Sequence, residues 1–412
     1  MKTWKIRIAL FLNYFVFALL LNSVGILIQR SMNQYGVDEV TASSLEAFKD
    51  LSIALVSFLV GSFLPRLGYK RAMLLSLALV FCGCLLMYSG NSFSAVKILF
   101  TCVGISFAFV KISVYSLVGL LTRDEKEHNS FLSTIESFFM VGIAAAFIGF
   151  PLFYSDTDPN AWLRIYLLIA VLVALSFLFL LSADFSSLPQ ATPGTNLADD
   201  LRQMLALLKR PVVLVFALTA FLYVMTEQGI MSWLPTFNER VLHLSEAMAV
   251  RMAVILMLSF AAGRYLTAFL VKRVHWLALL ITSLVAAGLM VVFLLPMAQN
   301  LEVKEIRSLA DVPVVAYVFP LIGFFLAPVY PLVNSVVLSA TEKIYHSPMA
   351  SLLVFFSALG GTGGSRLVGY LFRHTGGAKA FYFALIPLAI LVICLLVLYR
   401  STRVTQPGST DS

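Results

Sequence analysis

Asp50, Lys111, Glu136, Glu227 and Arg366 are charged side chains set within stretches of sequence that are otherwise apolar. A charge near the centre of a bilayer costs at least about 2.5–3.5 kcal/mol, so such a residue turns toward the protein interior and finds a partner or lines a pathway. Two readings of Lys111 stand. Its ammonium either alternates between an internal carboxylate and a substrate anion or hydroxyl, or forms a permanent neutralising pair with Glu136 or Asp50. Asp50 shares a helix face with Glu46 beside Lys49, which fits a solvated helix end with i,i+3 pairing, or a gate. Tyr223 lies one turn before Glu227, and together they could hydrogen-bond a hydroxylated substrate or carry a proton. The alternative for Glu227 is a structural pair with Arg251 or Arg366, and the alternative for Arg366 is snorkelling to the membrane surface. Asn22, Tyr330, Asn334 and Trp233 add amides, a hydroxyl and rings that suit the polar and apolar faces of a sugar.

Catalytic and metal chemistry find little support. The histidines stand singly, without ligand spacing to a second His or Cys. Cys82, Cys84, Cys102 and Cys394 fall in apolar runs as small hydrophobes. No cofactor or metal is implied, and no loop carries the acidic cluster that a membrane-embedded transferase needs.

The elements that must hold these residues follow from composition. Of 412 residues 60% are hydrophobic and 12% charged, and the mean hydropathy is +0.92. Average globular domains carry about 25% charged residues, so a soluble chain is excluded. At about 20 apolar residues per crossing, the hydrophobic content fills about twelve transmembrane helices. The runs predict crossings over 8–29, 42–65, 72–90, 96–122, 130–153, 161–182, 211–235, 246–271, 276–297, 312–339, 349–371 and 379–399. Strand crossings are excluded because the runs lack alternation. At 1.5 Å per residue, Glu136, Lys111 and Asp50 lie roughly 9, 16 and 22 Å from the cytoplasmic boundary. Trp4, Trp162 and Trp276 fall at run ends as interfacial anchors, and Pro320, Pro328 and Pro331 predict a bent tenth crossing. Glu227-Gln-Gly229 predicts a flexible point in the seventh.

An even number of crossings puts both termini on one side. Arg66, Lys70, Arg71, Arg123, Lys126, Lys209, Arg210, Lys272, Arg273, Lys343, Arg400 and Arg403 cluster on that side, which marks it as cytoplasmic in a cytoplasmic, or inner, membrane. The same scatter at run ends argues against nucleic-acid binding. Residues 183–210 are the one long polar connection, read as a linker with a short amphipathic helix. They separate a six-helix half over 1–182 from a second over 211–400, with a tail over 401–412. A weak repeat supports the division. Gly61 to Arg71 closes the second crossing as Gly263 to Arg273 closes the eighth, and Gly104 to Lys111 parallels Gly323 to Tyr330. Two related halves around a central cavity are a secondary-transporter architecture.

At Gly61-Ser-Phe-Leu-Pro65-Arg66-Leu-Gly68-Tyr-Lys70-Arg71 the sequence resembles the cytoplasmic loop signature of the major facilitator superfamily, with Pro65 where an acid is usual. Tyr223 to Thr236, Gly263 to Arg273, Ala327 to Val336 and Ser351 to Tyr370 are similar to the fucose:proton symporter branch. The resemblance implies an all-α membrane fold of twelve helices in two pseudo-symmetric bundles, and a loop that helps latch the halves. It also implies transport of small polar solutes, and proton coupling in that branch. Gly25 and Lys111 stand where the branch carries its carboxylates, so coupling through those acids does not carry over. The expectation is a non-enzymatic, monomeric transporter of a sugar, sugar acid or related hydroxylated anion, in contact with membrane lipid, with protons as a candidate second partner. A proton-driven exporter of drugs or metabolites is the alternative.

Overall fold

The computed structural model describes residues 3–122, 125–155, 157–185, 202, 206–299, 309–339 and 346–404. The side chains of 3, 58–63, 65–66, 119, 125–130, 132–133, 136–137, 268, 309, 338–339, 346–348, 350–351 and 402–404 fall outside that description. Most of the expected linker and the end of the tail are likewise outside the described residues. The chain divides into two compact units, Met1–Asp199 and Asp200–Ser412.

In the first unit the opening crossing is two helices, α1 (Thr3–Asn22) and α2 (Val24–Tyr35). They part at Ser23, where side chains compete for the helix carbonyls. Asn22 Nδ2 donates to the Ala18 carbonyl at 2.9 Å and Ser23 Oγ to the Leu20 carbonyl at 2.7 Å. The single run expected over 8–29 is thus longer and interrupted. The following crossings are α3 (Ser44–Leu67), α4 (Tyr69–Gly90), α5 (Phe93–Leu121), α6 (Glu125–Gly149) and α7 (Arg164–Ser182). Gly68 joins α3 to α4 at φ 83°, a left-handed geometry that a side chain would strain. Ser92 caps α5, its hydroxyl accepting from the Ala95 N–H at 3.2 Å.

The second unit holds α8 (Pro211–Arg240), α9 (Glu246–Leu270) and α10 (Trp276–Gln299). The tenth crossing is broken into α11 (Val314–Val318), α12 (Ile322–Leu326) and α13 (Val329–Ser339) around a 3₁₀ turn at Phe319–Leu321. Pro320 and Pro328 supply no N–H there, as the sequence predicts. Then come α14 (His346–Thr375) and α15 (Leu385–Val404). Among the described residues, ten crossings are long and apolar enough to span a membrane by length and composition alone. The other two of the twelve are α3, which carries charges near its start, and α6. No strand occurs among the described residues.

These helices are apolar on the outside as well as the inside, as lipid requires. In α7 Leu168, Val171, Leu175 and Leu178 are about half exposed, while Ile165, Ile169, Val173 and Leu180 are buried.

The two units share a packing scheme. In the first, a methyl on Gly104 of α5 would overlap the Lys49 carbonyl of α3, and one on Gly142 of α6 would lie 2.5 Å from the Phe15 carbonyl of α1. In the second, a methyl on Gly323 of α12 would lie 2.9 Å from the Leu256 side chain of α9, and methyls on Gly360 and Gly364 of α14 would overlap the Phe221 and Met225 carbonyls of α8. In each unit the second and fourth crossings meet at a glycine, and so do the first and fifth. Small residues let backbones approach where no hydrophobic effect drives helices together.

Two expectations are corrected. Trp162 is 1% exposed rather than interfacial. It lies 5.4 Å from the Arg30 guanidinium, which also covers Tyr154 at 5.0 Å and donates to the Pro159 carbonyl at 2.9 Å. The seventh crossing, α8, runs unbroken through Glu227-Gln228-Gly229. Gly229 instead makes room for the Phe383 ring, 2.5 Å from where a methyl would stand.

Candidate functional site

In the first unit the charges of α3 form a buried group. Lys49 Nζ meets Glu46 Oε1 at 2.5 Å and Asp50 Oδ1 at 3.4 Å, with the three side chains 6%, 0% and 12% exposed. The i,i+3 pairing matches the sequence pattern, but the helix end is not solvated: it is packed against α5 where Gly104 lets the backbones touch. Lys49 and Glu46 both act on the Asp50 carboxylate.

Lys111 lies on α5, half-buried, with Nζ 5.8 Å from the centre of the Phe107 ring one turn earlier. Phe107 in turn packs on Tyr14 and Phe17 of α1 at 6.3 and 6.1 Å and on Phe139 of α6 at 6.0 Å. The ammonium therefore stands over an aromatic floor drawn from three helices, a setting that favours a cation. The Glu136 side chain lies outside the described residues. Asn22, half-buried, spends its amide N–H on the Ala18 carbonyl at the helix break.

Of the loop signature, Gly61 lies within α3, and the side chain of Arg66 is outside the described residues. Gly68 supplies the left-handed turn and Arg71 is exposed. Lys70 Nζ donates to the Leu181 and Ala183 carbonyls at 2.8 and 2.6 Å. It caps the end of α7, where carbonyls lack helical partners and the helix dipole welcomes a cation.

In the second unit several of the expected residues converge. The Tyr223 hydroxyl donates to Glu227 Oε1 at 2.9 Å. The Tyr223 and Tyr330 rings lie 5.7 Å apart, and Ser357 and Asn334 approach the Tyr330 hydroxyl. Tyrosines from α8 and α13, a carboxylate from α8 and an amide from α13 thus meet beside the broken tenth crossing. Tyr223 lies twelve residues along α8, about 18 Å from its start, deep in the bilayer. The cluster presents one carboxylate, hydroxyls and ring faces to whatever reaches it.

Trp233 and Arg366 stand apart from this group. Trp233 is fully buried, its Nε1 donating to the Ser365 carbonyl at 2.9 Å, and its ring lies 5.1 Å from that of Phe372. It ties α8 to α14. Arg366 and Arg251 are both exposed.

Arg264 of α9 is the charged residue that sequence reading passed over. It acts electrostatically on the hydroxyls of both Tyr223 and Tyr330. It was absorbed into the stretch from Gly263 to Arg273 that repeats the loop signature. A signal was present: it stands nine residues before Arg273 in an apolar run, about 13 Å along the helix and too deep to be a surface anchor.

The profile described as Major Facilitator Superfamily matches residues 8–361. No curated protein matches the sequence. Among solved structures, a nucleoside transporter superposes with a TM-score of 0.75 at 13% identity, over 96% of this chain and 99% of its own. The E. coli fucose:proton symporter gives 0.65 at 15% identity, over 99% and 100%. A POT family transporter in complex with a thioalcohol-conjugated peptide gives 0.75 at 16% identity, over 97% and 98%. At such identities these likenesses speak for the fold. Profile and architecture together make the chain a multi-pass membrane transporter, and it belongs to the Major Facilitator Superfamily.

Proposed function

We propose that this secondary transporter moves a small polar solute, a sugar, sugar acid or related hydroxylated anion, by alternating access and in symport with protons. The observation that carries the reading is the meeting of Tyr223, Glu227, Tyr330 and Asn334 in the second unit. Hydroxyls, an amide and a carboxylate beside aromatic faces are the groups that recognise a polyhydroxylated solute. Structural neighbours that carry fucose, xylose or nucleosides support the solute class. Glu227, engaged by Tyr223, is the carboxylate we assign to proton handling. Lys111 on its aromatic floor and Glu136 are assigned to coupling in the first unit, with Asp50 and Asn22 in supporting positions. Trp233 holds the helix that carries Glu227, and we assign the exposed Arg366 of α14 a supporting place in the same unit. Gly61, Arg66, Gly68, Lys70 and Arg71 form the conformational loop. We place the protein in a cytoplasmic membrane as a monomer with both termini inside, on the strength of the basic residues on that side.

The test is uptake by proteoliposomes of labelled hexoses, hexuronates and nucleosides, with and without an inward proton gradient. Gradient-stimulated accumulation of one hydroxylated class is expected, and Lys111→Met should abolish it without lowering the yield of folded protein. Gradient-driven expulsion of lipophilic cations, with no sugar or sugar-acid uptake, would overturn the reading.

A further inference from the structure

We propose that Arg264 grips the negative charge of the transported solute, so that the second unit selects an organic carboxylate bearing hydroxyls over a neutral solute of the same shape. This rests on the solute class proposed above and assigns its charge to a residue. On α9, Ala262, Tyr265, Leu266 and Phe269 are exposed, while Phe260 and Thr267 are buried. Arg264 lies one turn from each of those buried residues and so belongs to the inward face. From there its guanidinium acts on the Tyr223 and Tyr330 hydroxyls, on two different helices.

Arg264 Nε is buried and has no hydrogen-bond partner among the described residues, although the residue as a whole is half-buried. In the same unit Gln228 Oε1, next to Glu227, is also buried with no hydrogen-bond partner among the described residues. Buried polar atoms are nearly always satisfied, and those that are not call for an explanation. A guanidinium presents a planar fork that matches a carboxylate with two parallel hydrogen bonds. The tyrosines and Asn334 beside it can take the hydroxyls of the same molecule.

The experiment measures binding to the purified full chain by thermal shift, using D-glucuronate, D-galacturonate and their methyl esters as probes. The acid should bind about 10- to 100-fold more tightly than its ester, the effect of losing a charge-assisted pair. In Arg264→Gln the ratio of acid to ester should fall to about one. Arg264→Lys keeps the charge but not the fork, and should lower the ratio at least about 3-fold. It decides the matter should the glutamine variant fail to fold. Equal binding of acid and ester by the unmodified protein, or an unchanged ratio in a folded variant, would overturn the assignment. Ester binding without acid binding would overturn Arg264's role while leaving the solute class standing. Binding of neither acid nor ester would overturn Arg264's role, and the uptake of hexoses and nucleosides described above would then decide the solute class.

Discussion

The two units manage buried charge in different ways. In the first, Glu46, Lys49 and Asp50 lie within about one turn of a single helix and are paired with one another. In the second, Glu227, Arg264 and Tyr330 come from three separate elements, α8, α9 and α13. A pair within one helix forms as the helix forms and is indifferent to how its neighbours move. A group spread over several helices exists only while those helices keep their places, so it can respond to a ligand or to a shift in packing. The first arrangement suits insertion into a membrane and the second suits recognition.

The comparison can be broken most severely at the glycine crossings on which both units depend. Gly364→Val would drive a side chain into the Met225 carbonyl and should cost more than about 4 kcal/mol, seen as loss of the monodisperse folded species. Gly363→Ala, whose nearest neighbour would be Phe221 at 3.8 Å, should leave that species intact. Next in size is Lys49→Met, which strands two buried carboxylates and should destabilise the first unit by about 3–5 kcal/mol in equilibrium unfolding. Adding Glu46→Gln should recover part of that loss. Full stability of the single variant would show that the helix is not held by its own pairing.

Glu227→Gln should do the reverse. Folding should be nearly unchanged while uptake falls about 100-fold, as for loss of a charge-assisted contact. A variant that transports normally would erase the distinction between the units. The smallest effect belongs to Lys70→Met, which removes two hydrogen bonds at the partly exposed end of α7 and should cost about 1 kcal/mol by thermal unfolding.

Much of this was legible in the residues. Apolar run length fixed the crossings, because lipid allows few alternatives for the backbone. Pro320 and Pro328 announced the broken tenth crossing through their missing N–H groups. The pairing of Glu46 with Lys49 followed from helical spacing alone. The break at Ser23 was hidden, because it arises from hydroxyl and amide side chains rather than from proline or glycine. Gly229 misled in the other direction: its small size accommodates the Phe383 ring from elsewhere in the chain, which no local pattern records. Trp162 was misplaced for a similar reason, since its partner Arg30 is distant in sequence. Arg264 was hidden by a repeat that accounted for its neighbours too well.

The clasp between Lys70 and the Leu181 and Ala183 carbonyls has a mechanical meaning. Ala183 stands where the polypeptide leaves its sixth crossing and heads for the opposite half. An ammonium from the turn after the second crossing pins that exit point. A tug reaching Ala183 along the chain is therefore borne by the signature loop itself, and the final turn of α7 is spared from unravelling.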